Sequence, residues 1–206
     1  VQGLKMSVLT LLMLFTGYAG FAAVTVTAGS GGTSICSNSA VGGSSPAYTT
    51  LGTITVTEGV NSDFSTGFDQ LTLSAPTGWQ FNTGATPAVA YTGGGDVNFI
   101  NVGSLTSSTI TINIFATGNT LADAFTITGL QVQATSSSAS PGYIYASLAS
   151  GMLGISTGAT GTDFGNLSLN SALTPSVVIT SSPSGAICAG TGVTFTPIPT
   201  NGGLTP

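Results

Sequence analysis

The sequence predicts an all-β chain: an antiparallel β-sandwich of Ig-like or jelly-roll-like type, preceded by a signal-peptide helix. Three observations carry that expectation. Short runs alternate apolar and polar residues with the period of two that puts one strand face inward and the other outward. These runs are rich in β-branched residues and are separated by Gly, Pro, Asn and Ser at intervals of about 8–15 residues, the spacing of strands and turns in sandwiches. After the N-terminal stretch, no segment sustains a 3.6-residue period with helix formers and caps.

The elements follow in order. Lys5 precedes the uncharged run 8–15 (Val-Leu-Thr-Leu-Leu-Met-Leu-Phe), and small residues follow at Gly17, Ala19, Gly20, Ala22 and Ala23. Positive flank, short apolar core and small-residue exit describe a secretory signal over residues 1–22, cleaved near Ala22. A retained anchor is disfavoured because the strongly apolar run is only about 8 residues, against the roughly 20 a span requires. Residues 23–34, with Ala-Gly-Ser-Gly-Gly-Thr-Ser at 28–34, read as a flexible lead-in. A sandwich module is expected over 35–174. Its clearest strands are 51–57, with Leu51, Ile54 and Val56 inward, then 108–115 and a long run at 124–133. Further strands are expected at 68–73, 79–81, 88–91, 97–102 and 143–148, with a loop at 135–142 and a turn-rich return at 158–163. The inward set is Ile54, Val56, Leu71, Leu73, Phe81, Ile110, Ile112, Ile114, Phe125, Ile127, Leu130 and Val132, with acidic residues left to the turns. At residue 175 the character changes, and 175–206 reads as the start of a second Ig-like module, beginning with a strand at 177–180.

Charge narrows the function classes. The 206 residues carry one basic side chain, Lys5, six carboxylates and no His. Without that segment there is no imidazole base, no ammonium and no guanidinium. Nucleic acid is excluded as a partner because binding it rests on neutralising phosphates with Lys and Arg. An anionic membrane surface is excluded on the same ground once the signal is removed. Cys36 and Cys188 suit an oxidising compartment. Each follows an Ile near the start of a module, so each is expected to belong to its own module, leaving Cys188 without a partner inside this stretch.

Three strings carry a resemblance: 48–59 (Tyr-Thr-Thr-Leu-Gly-Thr-Ile-Thr-Val-Thr-Glu-Gly), 71–82 (Leu-Thr-Leu-Ser-Ala-Pro-Thr-Gly-Trp-Gln-Phe-Asn) and 125–133 (Phe-Thr-Ile-Thr-Gly-Leu-Gln-Val-Gln). Together they resemble a module of large secreted surface proteins of Bacteroidetes-type bacteria, similar to adhesins and gliding-associated proteins. The stretch 179–196 resembles the opening of the Ig-like repeats that follow such modules. The resemblance implies a long, repeat-containing polypeptide displayed at the cell surface, with other modules of the same chain as neighbours and no catalytic residue. A basic residue often found in such modules near the position of Tyr145 is missing here.

Candidate sites are few. Glu58, Asn61 and Asp63 lie together in a loop as hard-oxygen ligands for Ca²⁺ would; a solvated turn is the favoured reading, because no closing acidic residue follows. The string at 93–98, with Asp96, is read as an Asx-type turn before a metal site. Asp63 and Asp69 lack the signature of a glycosidase pair. Trp79, Tyr91, Tyr143 and Tyr145 could stack on sugars, aromatic faces with polar tips being suited to that; core and strand-pair packing is the favoured alternative. No catalytic residue and no cofactor are expected. The chain is therefore expected to be a non-catalytic extracellular structural or adhesive module, secreted to the cell surface. A carbohydrate-binding module or an edge-strand-assembling filament subunit is the alternative, the former marked by an exposed aromatic row and the latter by uncharged strand edges.

Overall fold

A computed structural model describes residues 23–171 and 176–200; the expected signal segment lies outside them. The fold is all-β. Its first sheet has the order β1 (Thr25–Thr27), β4 (Ile54–Thr57), β10 (Ala124–Thr128), β7 (Ala88–Tyr91). A three-stranded sheet, β3 (Thr49–Thr50), β11 (Gln131–Ala134), β6 (Trp79–Phe81), extends it. The chain passes from β3 to β4, from β6 to β7 and from β10 to β11, and the Leu51 amide still bonds the Leu130 carbonyl across the break at 2.8 Å. The opposing sheet has the order β13 (Asp163–Leu167), β12 (Gly142–Ala149), β5 (Gly67–Ser74), β9 (Thr109–Ala116), β8 (Val97–Leu105). All pairings in these three sheets are antiparallel.

One core lies between the layers. Ile54, Val56, Phe125 and Ile127 face it from the first sheet, and Leu71, Leu73, Ile110, Ile112, Ile114 and Ile144 from the second. The alternation that predicted this is visible on β9, where buried Ile110, Ile112 and Ile114 interleave with Thr109, Thr111 and Asn113. All twelve expected inward residues are buried.

Three expectations are corrected. The run 124–133 is two strands, because Gly129 adopts a φ of +75° that only glycine takes without strain, and the chain passes there from one sheet to the next. Residues 23–34 are part of the domain: β1 pairs with β4, the Gly29 amide bonds the Phe164 carbonyl at 3.0 Å, and Ser168 donates to the Gly32 carbonyl at 2.8 Å. The segment then closes one side of the sandwich through the parallel pair β2 (Ile35–Cys36) and β14 (Leu169–Asn170). Third, the acids are not all left to solvated turns: Glu58, Asp63 and Asp123 lie between strands but are buried, Asp69 is buried inside β5, and Asp163 opens β13.

Residues 176–200 form a separate hairpin of β15 (Ser176–Ser182) and β16 (Thr194–Thr200), with every strand residue exposed. Cys36 and Cys188 are free thiols, both exposed. Among the described residues, no helix is long and apolar enough to cross a membrane.

Candidate functional site

Strand β12 carries Tyr143 and Tyr145 two residues apart, on the face opposite buried Ile144 and Ala146. The pairing with β13 sets Tyr143 beside Asn166 and Tyr145 beside Asp163, with a bulge between Ile144 and Tyr145. Pro76 from the β5–β6 turn and Pro141 wall the same place, and Thr33 and Ser168 reach it from the closing segment. The result is an open groove of about 600 Å³ with two aromatic faces, two proline walls and neutral polar groups. The Tyr143 hydroxyl donates to the Gly161 carbonyl at 3.4 Å and Ser168 Oγ to the Thr33 carbonyl at 2.6 Å. These bonds hold the rim. Among the described residues no carboxylate lines the groove; Asp163 stands behind it, accepting from the Asn166 side-chain amide.

Of the four candidate aromatics, the structure brings together Tyr143 and Tyr145. Trp79 is buried, its indole N–H donating to the Ser140 carbonyl at 2.9 Å. Tyr91 lies on β7 in the other sheet, opposite Phe125. A second aromatic feature was not anticipated. Phe68, Phe115 and Phe99 are cross-strand neighbours on β5, β9 and β8, and all three are exposed. Phe115 shares the outward parity of Thr109, Thr111 and Asn113. That parity was the signal that could have found it.

The acids tie loops together. Glu58 accepts the Phe64 amide on one oxygen (2.6 Å) and the Asp123 amide on the other (2.7 Å), joining the β4–β5 loop to the β9–β10 loop. Asp123 accepts the Gly95 amide at 2.9 Å, adding the β7–β8 loop. Asp96 accepts the amides of Thr120 and Leu121. Asp63 accepts the amides of Gly59 and Val60 on Oδ2, and Asp69 accepts from Ser65 Oγ at 2.7 Å. The Asn61 side-chain amide donates to the Thr120 carbonyl. With no cation in the described chain, backbone N–H groups do the work that Lys and Arg do elsewhere. Glu58, Asn61 and the Oδ2 atom of Asp63 are thus committed to loop bonds, and among the described residues no three Asp, Glu, His or Cys groups converge as a metal set.

Burial pushes the Glu58 carboxyl above its ordinary 4.5, opposed by its two amide bonds and reinforced by the charges of Asp123 and Asp63. Asp96 is held below its ordinary 3.8, chiefly by the Leu121 amide. The signs run oppositely. The folded state grips the Glu58 proton more tightly than the unfolded chain does, so that contribution is lost as pH rises above 4.5. Asp96 contributes stability above 3.8 that is lost as pH falls through its lowered value. Thermal melts across pH should therefore peak in the mildly acidic range. Glu58→Gln should flatten the limb above 4.5 whatever it does to the absolute melting temperature. An unchanged slope there would remove Glu58 as its source.

No protein-family model, no curated protein and no solved structure matches this chain.

Proposed function

We propose that the chain is a non-catalytic structural and adhesive module of a secreted, cell-surface protein, and that its adhesive contact is a glycan held in the Tyr143–Tyr145 groove. The pair of tyrosines in that groove carries the reading. Aromatic rings present apolar faces to the C–H faces of a sugar and keep a polar tip for its hydroxyls. Asn166, Ser168 and Thr33 add neutral hydrogen-bonding groups at the same place. A neutral sugar suits a wall without cation or carboxylate. Five of the acids sit at loop contacts away from the groove, and the sixth, Asp163 on β13, stands opposite Tyr145 and accepts from the Asn166 side-chain amide. One carboxyl beside the groove supports binding without turnover, since glycoside hydrolysis needs two flanking the bond. The other modules of the same polypeptide, implied by the resemblance, would supply reach.

The test is a screen of surface glycans followed by titration of the best binder. Tyr143→Ala and Tyr145→Ala should each weaken binding about tenfold, the equivalent of about 1.4 kcal/mol for a lost stacking face. Tyr91→Ala, on the other sheet, should leave it unchanged. Equal affinity in all three variants would overturn the assignment of the groove, and binding of peptides in place of glycans would overturn the ligand class.

A further inference from the structure

Asp63 is accommodated differently from the other buried acids. Its Oδ2 takes two backbone amides, yet its Oδ1 is buried with no hydrogen-bond partner among the described residues, in a residue only 1% exposed. A bare carboxylate oxygen in the interior is far costlier than a bare neutral group, and such groups are met by a proton, a cation or a metal. Beyond Lys5 the chain has no Lys, Arg or His to provide the charge. Asp63 also lines a cavity of about 410 Å³ whose wall includes Ser62, Ser65 and Gly151. That volume admits an ion together with retained waters, each water occupying about 30 Å³. The Asp63 carbonyl accepts the Leu153 amide and the Gly151 carbonyl accepts the Ser65 amide, so the wall is fixed on both sides.

We propose that this cavity is a Ca²⁺ site in which Asp63 Oδ1 is the charged ligand, completed by hydroxyl, carbonyl and water oxygens. The chemistry selects the ion. Ca²⁺ accepts six to eight oxygens in flexible geometry and tolerates neutral ones, whereas Mg²⁺ demands a near-ideal octahedron. A single carboxylate places the affinity at the weak end, about 10⁻⁴ to 10⁻³ M, the range of extracellular modules. Buried Glu58, Asp69 and Asp123 belong to the same fold and add no positive charge to compete with the ion. The ion would reinforce the join between the β4–β5 loop and the connection after β12, where the two backbone bonds form the Phe64–Met152 bridge.

The test compares thermal melts of the full chain in chelator and in about 10 mM Ca²⁺, with Na⁺ matched for ionic strength and Mg²⁺ as a further arm. Wild type should gain about 4 °C in Ca²⁺ over both controls. Asp63→Asn, which preserves shape and the two amide contacts on its remaining oxygen, should gain nothing. Asp96→Asn should behave as wild type. Equilibrium dialysis of wild type should find one Ca²⁺ per chain, and decides the matter if Asp63→Asn fails to fold. No Ca²⁺-specific gain in wild type, an equal gain in Asp63→Asn, or dialysis without bound Ca²⁺ would overturn the proposal.

Discussion

Phe125→Ala is expected to lower stability by about 3–5 kcal/mol, the cost of deleting a buried phenyl ring and leaving a cavity. Phe125 is fully buried on β10, between Val56 on β4 and Tyr91 on β7 in the pairing register. Its ring meets Phe64 with centroids 5.9 Å apart and planes tilted by 41°, an arrangement that adds to area burial alone. Phe64 reports from the β4–β5 loop, so the loss should reach the acid-tied end as well as the core. For a domain of about 150 residues the melting temperature should fall by about 10 °C. Phe115→Ala is the internal comparison. Phe115 is also a strand phenylalanine, but it is 40% exposed on the outer face of β9, so its removal should cost under about 1 kcal/mol. Equal losses for the two would mean that Phe115 does not sit on an outer strand face.

Those two phenylalanines show what was legible. A period of two distinguishes inward from outward positions wherever a strand is long enough, which is why the inward residues of β4, β5, β9 and β10 could be named from sequence. Parity also sets Phe115 outward, but hydrophobicity invites the opposite reading. Short strands were not legible. β2, β3 and β14 have two residues each, too few for any period to register. The Gly-rich stretch at 28–34 looked flexible because glycine carries no side chain to pack. In this fold the lack of a side chain is what lets that backbone lie against β13.

The candidate site was half legible. Tyr143 and Tyr145 stand on one strand face by their spacing alone, and the structure adds Pro76, Asn166 and Thr33 from segments distant in sequence. Trp79 could not be separated from them by sequence, because its burial depends on the Ser140 carbonyl waiting across a loop. Acid burial was misread for a clear reason. Carboxylates are seldom buried without a cation, and this chain holds Glu58, Asp123 and Oδ2 of Asp63 with backbone amides and Asp69 with the Ser65 hydroxyl. That solution is invisible until the loops meet.

Gly32→Ala is expected to destabilise by about 3 kcal/mol, at the upper end of overpacking costs. A Cβ on Gly32 would lie 2.2 Å from the Asn166 carbonyl oxygen and 2.7 Å from Leu167 Cδ2. The carbonyl belongs to β13, which is held by its pairing with β12, so the clash cannot be relieved by rotating a side chain. Relief requires residues 28–34 to lift away, breaking the bond from Ser168 to the Gly32 carbonyl and the parallel pairing of β2 with β14. Thr33 and Ser168 would move with it, and both line the tyrosine groove. Weaker ligand binding should therefore accompany the lost stability. Gly42→Ala separates the close approach from backbone strain: Gly42 has a φ of +74° with nothing within 4 Å of its added Cβ, so it should cost only the about 1 kcal/mol of a left-handed residue. Denaturant melts of the two variants decide between a packed strap and a loose leader. Gly32→Ala at or below the cost of Gly42→Ala would mean that residues 28–34 do not pack against β13 in solution.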